Sequence, residues 1–182
     1  YKADGPLDLR LNPEKGRPAS ELLKAVTLPR LEKILSEYAD EPYAKDIARA
    51  ILRSPNPPST TAQLTKLVRS GLGNLEEKHV KKSLARTFMA LRIAVNEELS
   101  VLDHFLEVLP YCLKPGGRVA ILSFHSGEDR RVKRAFAIGL EEAVYETISP
   151  APILAGEAER RANPRSIPAK LRWAVRSTKP LG

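Results

Sequence analysis

Cysteine is all but missing from this chain: Cys112 is the single one among 182 residues. No internal disulfide can form, which fits a reducing compartment. No apolar run approaches the ~20 residues of a membrane-spanning helix. Runs such as Val119-Ala120-Ile121-Leu122, at four residues as long as any, are the size of a strand, so no membrane partner is expected. No secretory leader is recognisable, and a cytoplasmic setting is expected, with a mitochondrion or chloroplast as the alternative. Internal repeats and low-complexity tracts are lacking. The three histidines, His79, His104 and His125, have no metal-ligand spacing, and no metal is expected. No helix-turn-helix spacing stands out, which weakens a DNA-binding reading. The one G-x-G triplet, Gly71-Leu72-Gly73, falls at a predicted helix end rather than after a strand, so no glycine-rich cofactor cradle is found within these residues.

What is present is positive charge. Lys and Arg number 30 against 22 Asp and Glu, for a net charge of +8. A surplus of that size favours a polyanionic partner, because bound cations release counterions from phosphates. Apolar residues make up 42% and charged residues 29%, the profile of a folded globular chain rather than a disordered one. The length allows one compact domain, or a core with a sizeable insertion.

Residues 1–19 read as an ordered loop rich in Pro and Gly, with Ser20 as the expected cap of a short helix over 21–25. Helical spacing follows at Leu28, Leu31, Ile34, Leu35 and Tyr38, then over 43–52 with Ile47 and Ile51 on one face. The prolines at 55, 57 and 58 stop that helix. Ser59, Thr60 or Thr61 caps the next, whose inner face is Leu64, Leu67 and Val68 and which Gly71 and Gly73 close. A long helical stretch runs from about 81 to 112, broken near Ser100. The pattern changes at Lys114-Pro115-Gly116-Gly117-Arg118, a tight turn. A buried strand is predicted over 119–124, a helix over 128–140, and strands over 145–148 and 169–177. In the last, Leu171, Trp173 and Val175 alternate with Arg172, Ala174 and Arg176. Helix, turn, strand, helix, strand, strand is how a doubly wound α/β sheet ends. The expected division is 1–19 as a loop of the α/β core, 20–98 as a helical insertion and 99–182 as the C-terminal part of the core.

Ser123-Phe124-His125-Ser126 falls at the carboxyl end of the first strand, where open α/β sheets bind ligands. Glu128 and Asp129 follow in the first turn of a helix, where plain N-terminal capping explains carboxylates equally well. The cluster Lys78, Lys81, Lys82 and Arg86 is either a solvated face or, with Arg130, Arg131, Lys133, Arg134, Arg160 and Arg161, the lining of a phosphate-binding groove. Arg49 and Arg92 are either RNA contacts or ion-pair partners for Asp8 or Glu97.

These motifs carry a specific resemblance. SFHSGEDRRVKR over 123–134 resembles the Ser-Phe-His-Ser-x-Glu-Asp-Arg-x-Val-Lys signature of the MraW/RsmH family of ribosomal RNA cytosine-N4 methyltransferases. Asp4-Gly5-Pro6-Leu7-Asp8-Leu9-Arg10 is similar to that family's Asp-Gly-Pro-Leu-Asp-Met-Arg loop. Tyr38 with Ile47-Ala48-Arg49-Ala50-Ile51, then Arg86 to Ile93 with Asn96-Glu97-Glu98-Leu99, and finally Asn163-Pro164-Arg165 with Ala169-Lys170-Leu171-Arg172, follow in the family's order. The resemblance implies the C-terminal part of a class I (Rossmann-like) methyltransferase sheet with a helical insertion domain. It also implies S-adenosylmethionine as methyl donor, with the cofactor-binding residues expected upstream of Tyr1. Small-subunit ribosomal RNA, or the small ribosomal subunit, is the implied partner, and a homodimer is left open. Asp8 is then the expected acceptor for the amine, with Ser123, His125 and Ser126 shaping the base pocket. Arg10, Asn163 and Arg165 would anchor that pocket or a phosphate, and Lys81, Lys82, Arg86, Arg92, Arg130 and Lys133 would contact RNA. Departures from the family pattern are Met89 for Gln, Gly127 for Leu, and Ile167-Pro168 for Arg-Ser, which removes one expected RNA contact. A non-catalytic RNA-binding or ribosome-assembly protein is the competing class.

Overall fold

The structure is a computed structural model and describes residues 4–180. It divides into two compact units, Tyr1–Glu98 and Leu99–Gly182.

The first unit is helical: α1 (Ala19–Ala25), α2 (Leu28–Ala39), α3 (Ala44–Leu52), α4 (Thr61–Leu72) and α5 (Glu77–Val95). Its core is the set of positions that recur at helical spacing, among them Leu31, Ile34, Leu35, Ile47, Ile51 and Leu64. The cap of α1 is Pro18 rather than Ser20, which lies inside the helix; Pro fits there because its missing N–H would have no helical partner. Thr60 closes a capping box with Gln63 at the start of α4. Gly73 ends that helix, whereas Gly71 sits within it. A Cβ on Gly71 would lie 2.9 Å from both the Ala50 Cβ and the Asp46 carbonyl oxygen on α3. Gly71→Ala should therefore lower stability by about 1–3 kcal/mol through overpacking of this crossing, read as a fall in thermal midpoint.

The long helical stretch breaks at Asn96-Glu97, not near Ser100. Glu97 takes a left-handed φ of 52°, and Asn96 caps α5 while its amide donates to the Leu9 and Arg92 carbonyls and its Oδ1 accepts from Leu11 N–H. The break is long-range in origin, since Asn96 is held by a loop some 85 residues earlier. That loop, residues 4–10, is pinned on two sides. Leu7 and Asp8 carbonyls accept from Ser20 and Ala19 N–H, and Leu7 N–H donates to Ser59. Asp4 Oδ1 accepts from Ala62 N–H at the start of α4.

The second unit contains α6 (Glu98–Cys112), β1 (Arg118–Ser123), α7 (Ser126–Glu141), β2 (Tyr145–Ile148), β3 (Ile153–Leu154), α8 (Glu157–Ala162) and β4 (Lys170–Arg176). The sheet runs β1-β4-β2, with β3 also on β4, and every pairing is antiparallel. The chain is thus a mixed α/β fold, as expected, in which β4 is the central strand. Leu106, Leu109, Val132, Phe136, Tyr145 and Ala174 form this unit's core, with Phe136 and Tyr145 packed edge to face at 5.4 Å.

Two features differ from the alternation read in sequence. On β4 the buried face carries Arg172, Ala174 and Arg176, while Leu171, Trp173 and Val175 are only half-buried. In β1, Leu122 is 52% exposed, so this strand is not fully buried. The register places Ala120 opposite Trp173 and Leu122 opposite Leu171, which makes one continuous apolar sheet face. No described element of this unit covers that face, whereas α7 packs on the other, and there the arginines are satisfied. Arg176 donates to the Ser177 carbonyl just past β4 and to the Pro110 carbonyl, an acceptor near the end of α6 that the helix itself leaves unpaired.

Candidate functional site

In the second unit the site is built at the carboxyl end of β1. His125 is the N-cap of α7: its Nδ1 accepts from Glu128 N–H at 3.3 Å, and Glu128 Oε2 accepts from Phe124 and His125 N–H. This reciprocal capping box fixes the loop from strand to helix. The imidazole beside it, with the Phe124 N–H, holds the Glu128 carboxyl below its ordinary range despite burial. His125 Nε2 lies 3.4 Å from Glu128 Oε1 but outside hydrogen-bonding geometry, and it is buried without another partner. The imidazole is therefore enclosed, with one nitrogen committed to the helix and one unspent.

Ser123, on the last residue of β1, is buried and donates to the Lys170 carbonyl at 3.3 Å. Ser126 opens α7, one residue beyond the cap. Asp129, in the same turn, is 6% exposed and is not a simple capping carboxylate. Its Oδ1 accepts from Arg172 Nε at 2.7 Å and its Oδ2 from Arg172 Nη2 and Lys170 Nζ at 3.3 Å. Burial pushes the Asp129 carboxyl up, but the hydrogen bonds and positive charge of Arg172 and Lys170 outweigh it and bring it below its ordinary value. Asp129 thus joins the His125 loop to β4. Asp129, Lys170 and Arg172 were not singled out as site residues. The signal was the pair Arg172 and Arg176 on the same strand face as Ala174, a pattern that demands buried acceptors.

The other expected residues of this unit are spread out. Arg130 and Arg131 line a groove of about 900 Å³ between α6 and α7, together with Asp103, Glu107 and Glu142. Arg131 is paired with Asp103 at 3.0 Å, and the mixed charge makes this a poor phosphate channel. Lys133 is exposed and does not line it. Asn163 caps a short 3-10 turn, Pro164–Ser166, accepting from Arg165 N–H, and Arg165 is exposed beside it.

In the first unit Asp8 and Arg10 form a bidentate pair, with Arg10 Nε on Oδ1 at 2.7 Å and Nη2 on Oδ2 at 2.8 Å. The Arg10 guanidinium holds the Asp8 carboxyl below the usual carboxylate range and keeps it ionised. The residue between them, Leu9, has a left-handed φ of 65°, strain that the surrounding hydrogen bonds sustain. Oδ2 takes only one of these bonds, which leaves it acceptor capacity. Arg92 is bonded through Nε and Nη2 to Glu98 at 2.8 and 2.9 Å. The ion pairs considered for Asp8 and Glu97 are therefore replaced: Arg10 takes Asp8, and Glu98 takes Arg92. Lys81 and Lys82 are exposed on α5 and Arg86 is half-buried one turn on.

The MraW methylase family matches residues 1–177. The chain belongs to that family. It is 45% identical over 184 residues to the ribosomal RNA small subunit methyltransferase H 1 of Lachnoclostridium phytofermentans, covering 97% of this chain and 50% of that protein. Its identity to the ribosomal RNA small subunit methyltransferase H 2 of Alkaliphilus metalliredigens is 46%, covering 97% and 53%. To the ribosomal RNA small subunit methyltransferase H of Acidobacterium capsulatum it is 41%, covering 96% and 58%. The chain thus spans about half the length of the curated relatives it matches. Family membership makes the β1-β4-β2 sheet part of a class I methyltransferase fold. Among the described residues no helix is long and apolar enough to cross a membrane, and no His, Cys, Asp and Glu group could hold a metal ion.

Proposed function

We propose that this chain acts in the S-adenosylmethionine-dependent methylation of N4 of a cytosine in small-subunit ribosomal RNA. The observation that carries the reading is the strand-end loop of 123–126, fixed by the His125–Glu128 capping box and joined to β4 by Asp129, in a chain of the MraW methylase family.

An exocyclic cytosine amine is a weak nucleophile because its lone pair is delocalised into the ring. A hydrogen bond accepted from that amine frees the lone pair, and fixed orientation supplies much of the remaining rate. Asp8 suits the first task. It is ionised, held in one position by Arg10, and keeps acceptor capacity on Oδ2. A carboxylate with a lowered pKa is a poor general base but a good fixed acceptor. In the second unit, Ser123, His125 and Ser126 serve to hold a base taken out of its stack. Lys81, Lys82, Arg86 and Arg92 on α5 serve the RNA backbone, as do Lys133, Asn163 and Arg165 in the second unit; Arg130, in the mixed-charge groove, is left out of that set.

S-adenosylmethionine supplies the methyl group in this reading. The residues present do not make up its cradle. Of the described glycines with positive φ, Gly16 lies in a loop, Gly73 ends α4 and Gly116 turns before β1, so none follows the carboxyl end of a strand.

The test is methyl transfer from S-adenosylmethionine to small-subunit RNA by the native polypeptide that contains these residues, with the product base located by mass spectrometry. RNA binding without transfer would favour the non-catalytic alternative. Reversing charge at Lys81, Lys82 and Arg86 should weaken RNA binding and reduce the slope of log affinity against log salt by about 2; an unchanged slope would mark that face as merely solvated. The two roles of His125 separate by substitution. Asparagine caps helices well, so His125→Asn should keep most of the stability that His125→Ala loses, about 0.5–2 kcal/mol. Full methyl transfer by His125→Asn would reduce His125 to a cap.

A further inference from the structure

The first unit carries a second groove, about 710 Å³ in volume, that none of the α5 cations lines. Its walls are residues 11–17, α1, the start of α2 and the end of α5. Lys15, Arg17 and Arg30 stand exposed on its rim, and none of the three forms an ion pair among the described residues. Two acids also line it: Glu21, paired with Lys24 at 2.7 Å, and Glu97 at the end of α5. Apart from Asn12 and Asn96 the rest of the lining is apolar or glycine: Leu22 and Val26 are partly buried, while Leu11 is 76% exposed. A large aliphatic side chain left in water at the mouth of a cationic groove suits a ligand with both an anionic and an apolar part.

The wall is rigid. Arg10 Nη1 donates to the Gly16 carbonyl at 3.2 Å, and Asn96 grips both Leu9 and Leu11. Through Arg10 the groove wall is joined directly to Asp8. Two left-handed residues, Leu9 and Glu97, flank the Asn96 clamp, each a local cost of about 1–3 kcal/mol that the hydrogen bonds sustain.

We infer that this groove seats a single-stranded RNA segment, with phosphates on Lys15, Arg17 and Arg30 and the ribose and base edges against Leu11, Leu22 and Val26. The inference rests on the ribosomal RNA reading above and adds a contact surface to it. A duplex would not suit, because it stacks its bases inside and would leave the apolar wall uncovered. An arginine fork matches two phosphate oxygens better than a point charge does. Among the described residues no aromatic lines the groove, so the bases would lie against aliphatic side chains rather than on a stacking platform.

The test uses the native polypeptide and a fluorescein-labelled ten-nucleotide RNA of mixed uridine and cytidine, followed by anisotropy over a salt series. Lys15→Glu/Arg17→Glu/Arg30→Glu should weaken binding at least about tenfold and lower the salt slope by about 2, since each phosphate contact on a single strand contributes about 0.7. The neutral triple variant with glutamine at the same positions guards against misfolding and should show a smaller loss in the same direction. Leu11→Asp should weaken binding with little change beyond one unit of slope. If the groove variants bind as wild type while the α5 charge reversals lose affinity, the groove assignment falls and the functional reading stands. Failure of methyl transfer by the wild type would instead strike the functional reading, whatever the groove does. Equal weakening of a matched RNA duplex, or displacement of the RNA by polyglutamate of equal charge at equal potency, would also overturn the proposal.

Discussion

Asp129→Ala is expected to cost about 3–5 kcal/mol of stability, the largest loss from any single polar substitution in the second unit. The reason is what it leaves behind. Arg172 is buried, with its side chain 8% exposed, and the side chain of Asp129 is 9% exposed. Without the carboxylate, a guanidinium that cannot lose its proton stays in the interior unpaired. Lys170 would suffer less, because its side chain is 37% exposed and can turn to water. Asp129→Asn should fall between, since the amide oxygen still accepts from Arg172 but carries no charge. Replacing both partners, as in Asp129→Leu/Arg172→Met, should recover much of the loss, because an apolar pair of similar volume needs no desolvated charge. Chemical denaturation of the three variants and wild type checks the ranking; equal stability of Asp129→Ala and wild type would remove the clamp from the account.

The same pair gives a pH dependence with a definite sign. The folded-state pKa of Asp129 is lowered, so its contribution is fully present above the unfolded value of about 3.9. That contribution is lost as pH falls through the lowered folded value. Wild type should therefore lose stability on acidification below about pH 4 more steeply than Asp129→Asn. Glu128 adds to the effect in the same direction, since its pKa is also lowered.

Much of this architecture was legible because it is periodic. The inner faces of α2 and α3 repeat at three and four residues, and the bounds of β2 follow from a four-residue run between turn signals. What could not be read is what depends on residues far apart in the chain. Asn96 ends α5 because its side-chain amide donates to the Leu9 carbonyl and accepts from the Leu11 N–H, and no local propensity announces that contact. The half-exposed face of β1 and the buried arginines of β4 reverse the usual sense of alternation. That happens because Arg172 and Arg176 find Asp129 and the Pro110 carbonyl on their side of the sheet. Glu41, in the connection between α2 and α3, is similar: the residue is 3% exposed and its carboxylate accepts from Ser83 on α5, a link between distant segments with no sequence signature. At the candidate site, the strand-end position of Ser123 to Ser126 was readable from the turn and apolar run before it. The capping role of His125 was not, because histidine is an uncommon N-cap.

Asp8→Ala should reduce methyl transfer by about 10²–10³, the loss typical of removing one preorganised electrostatic contact to a developing charge. As the cytosine nitrogen attacks, it gains positive character, and an ionised acceptor fixed beside its N–H stabilises that change without reorganising. The fall should appear in kcat rather than KM, since the contact strengthens only in the transition state. Asp4→Ala is the matched control: Asp4 lies on the same loop and caps α4 through Ala62 N–H, so it should cost stability with little effect on turnover. Arg10→Gln separates position from charge. Asp8 remains, but its carboxylate is no longer gripped and its pKa returns toward about 3.9. The acid limb of kcat/KM should accordingly move to higher pH, because Arg10 is the main cause of the lowered value. Conversely, Asp8→Ala frees the Arg10 guanidinium, and the chain should then bind RNA no more weakly than wild type. Wild-type turnover by Asp8→Ala would end the assignment of Asp8 as the amine acceptor and leave the Asp8–Arg10 pair as a loop-shaping contact for the groove beside it.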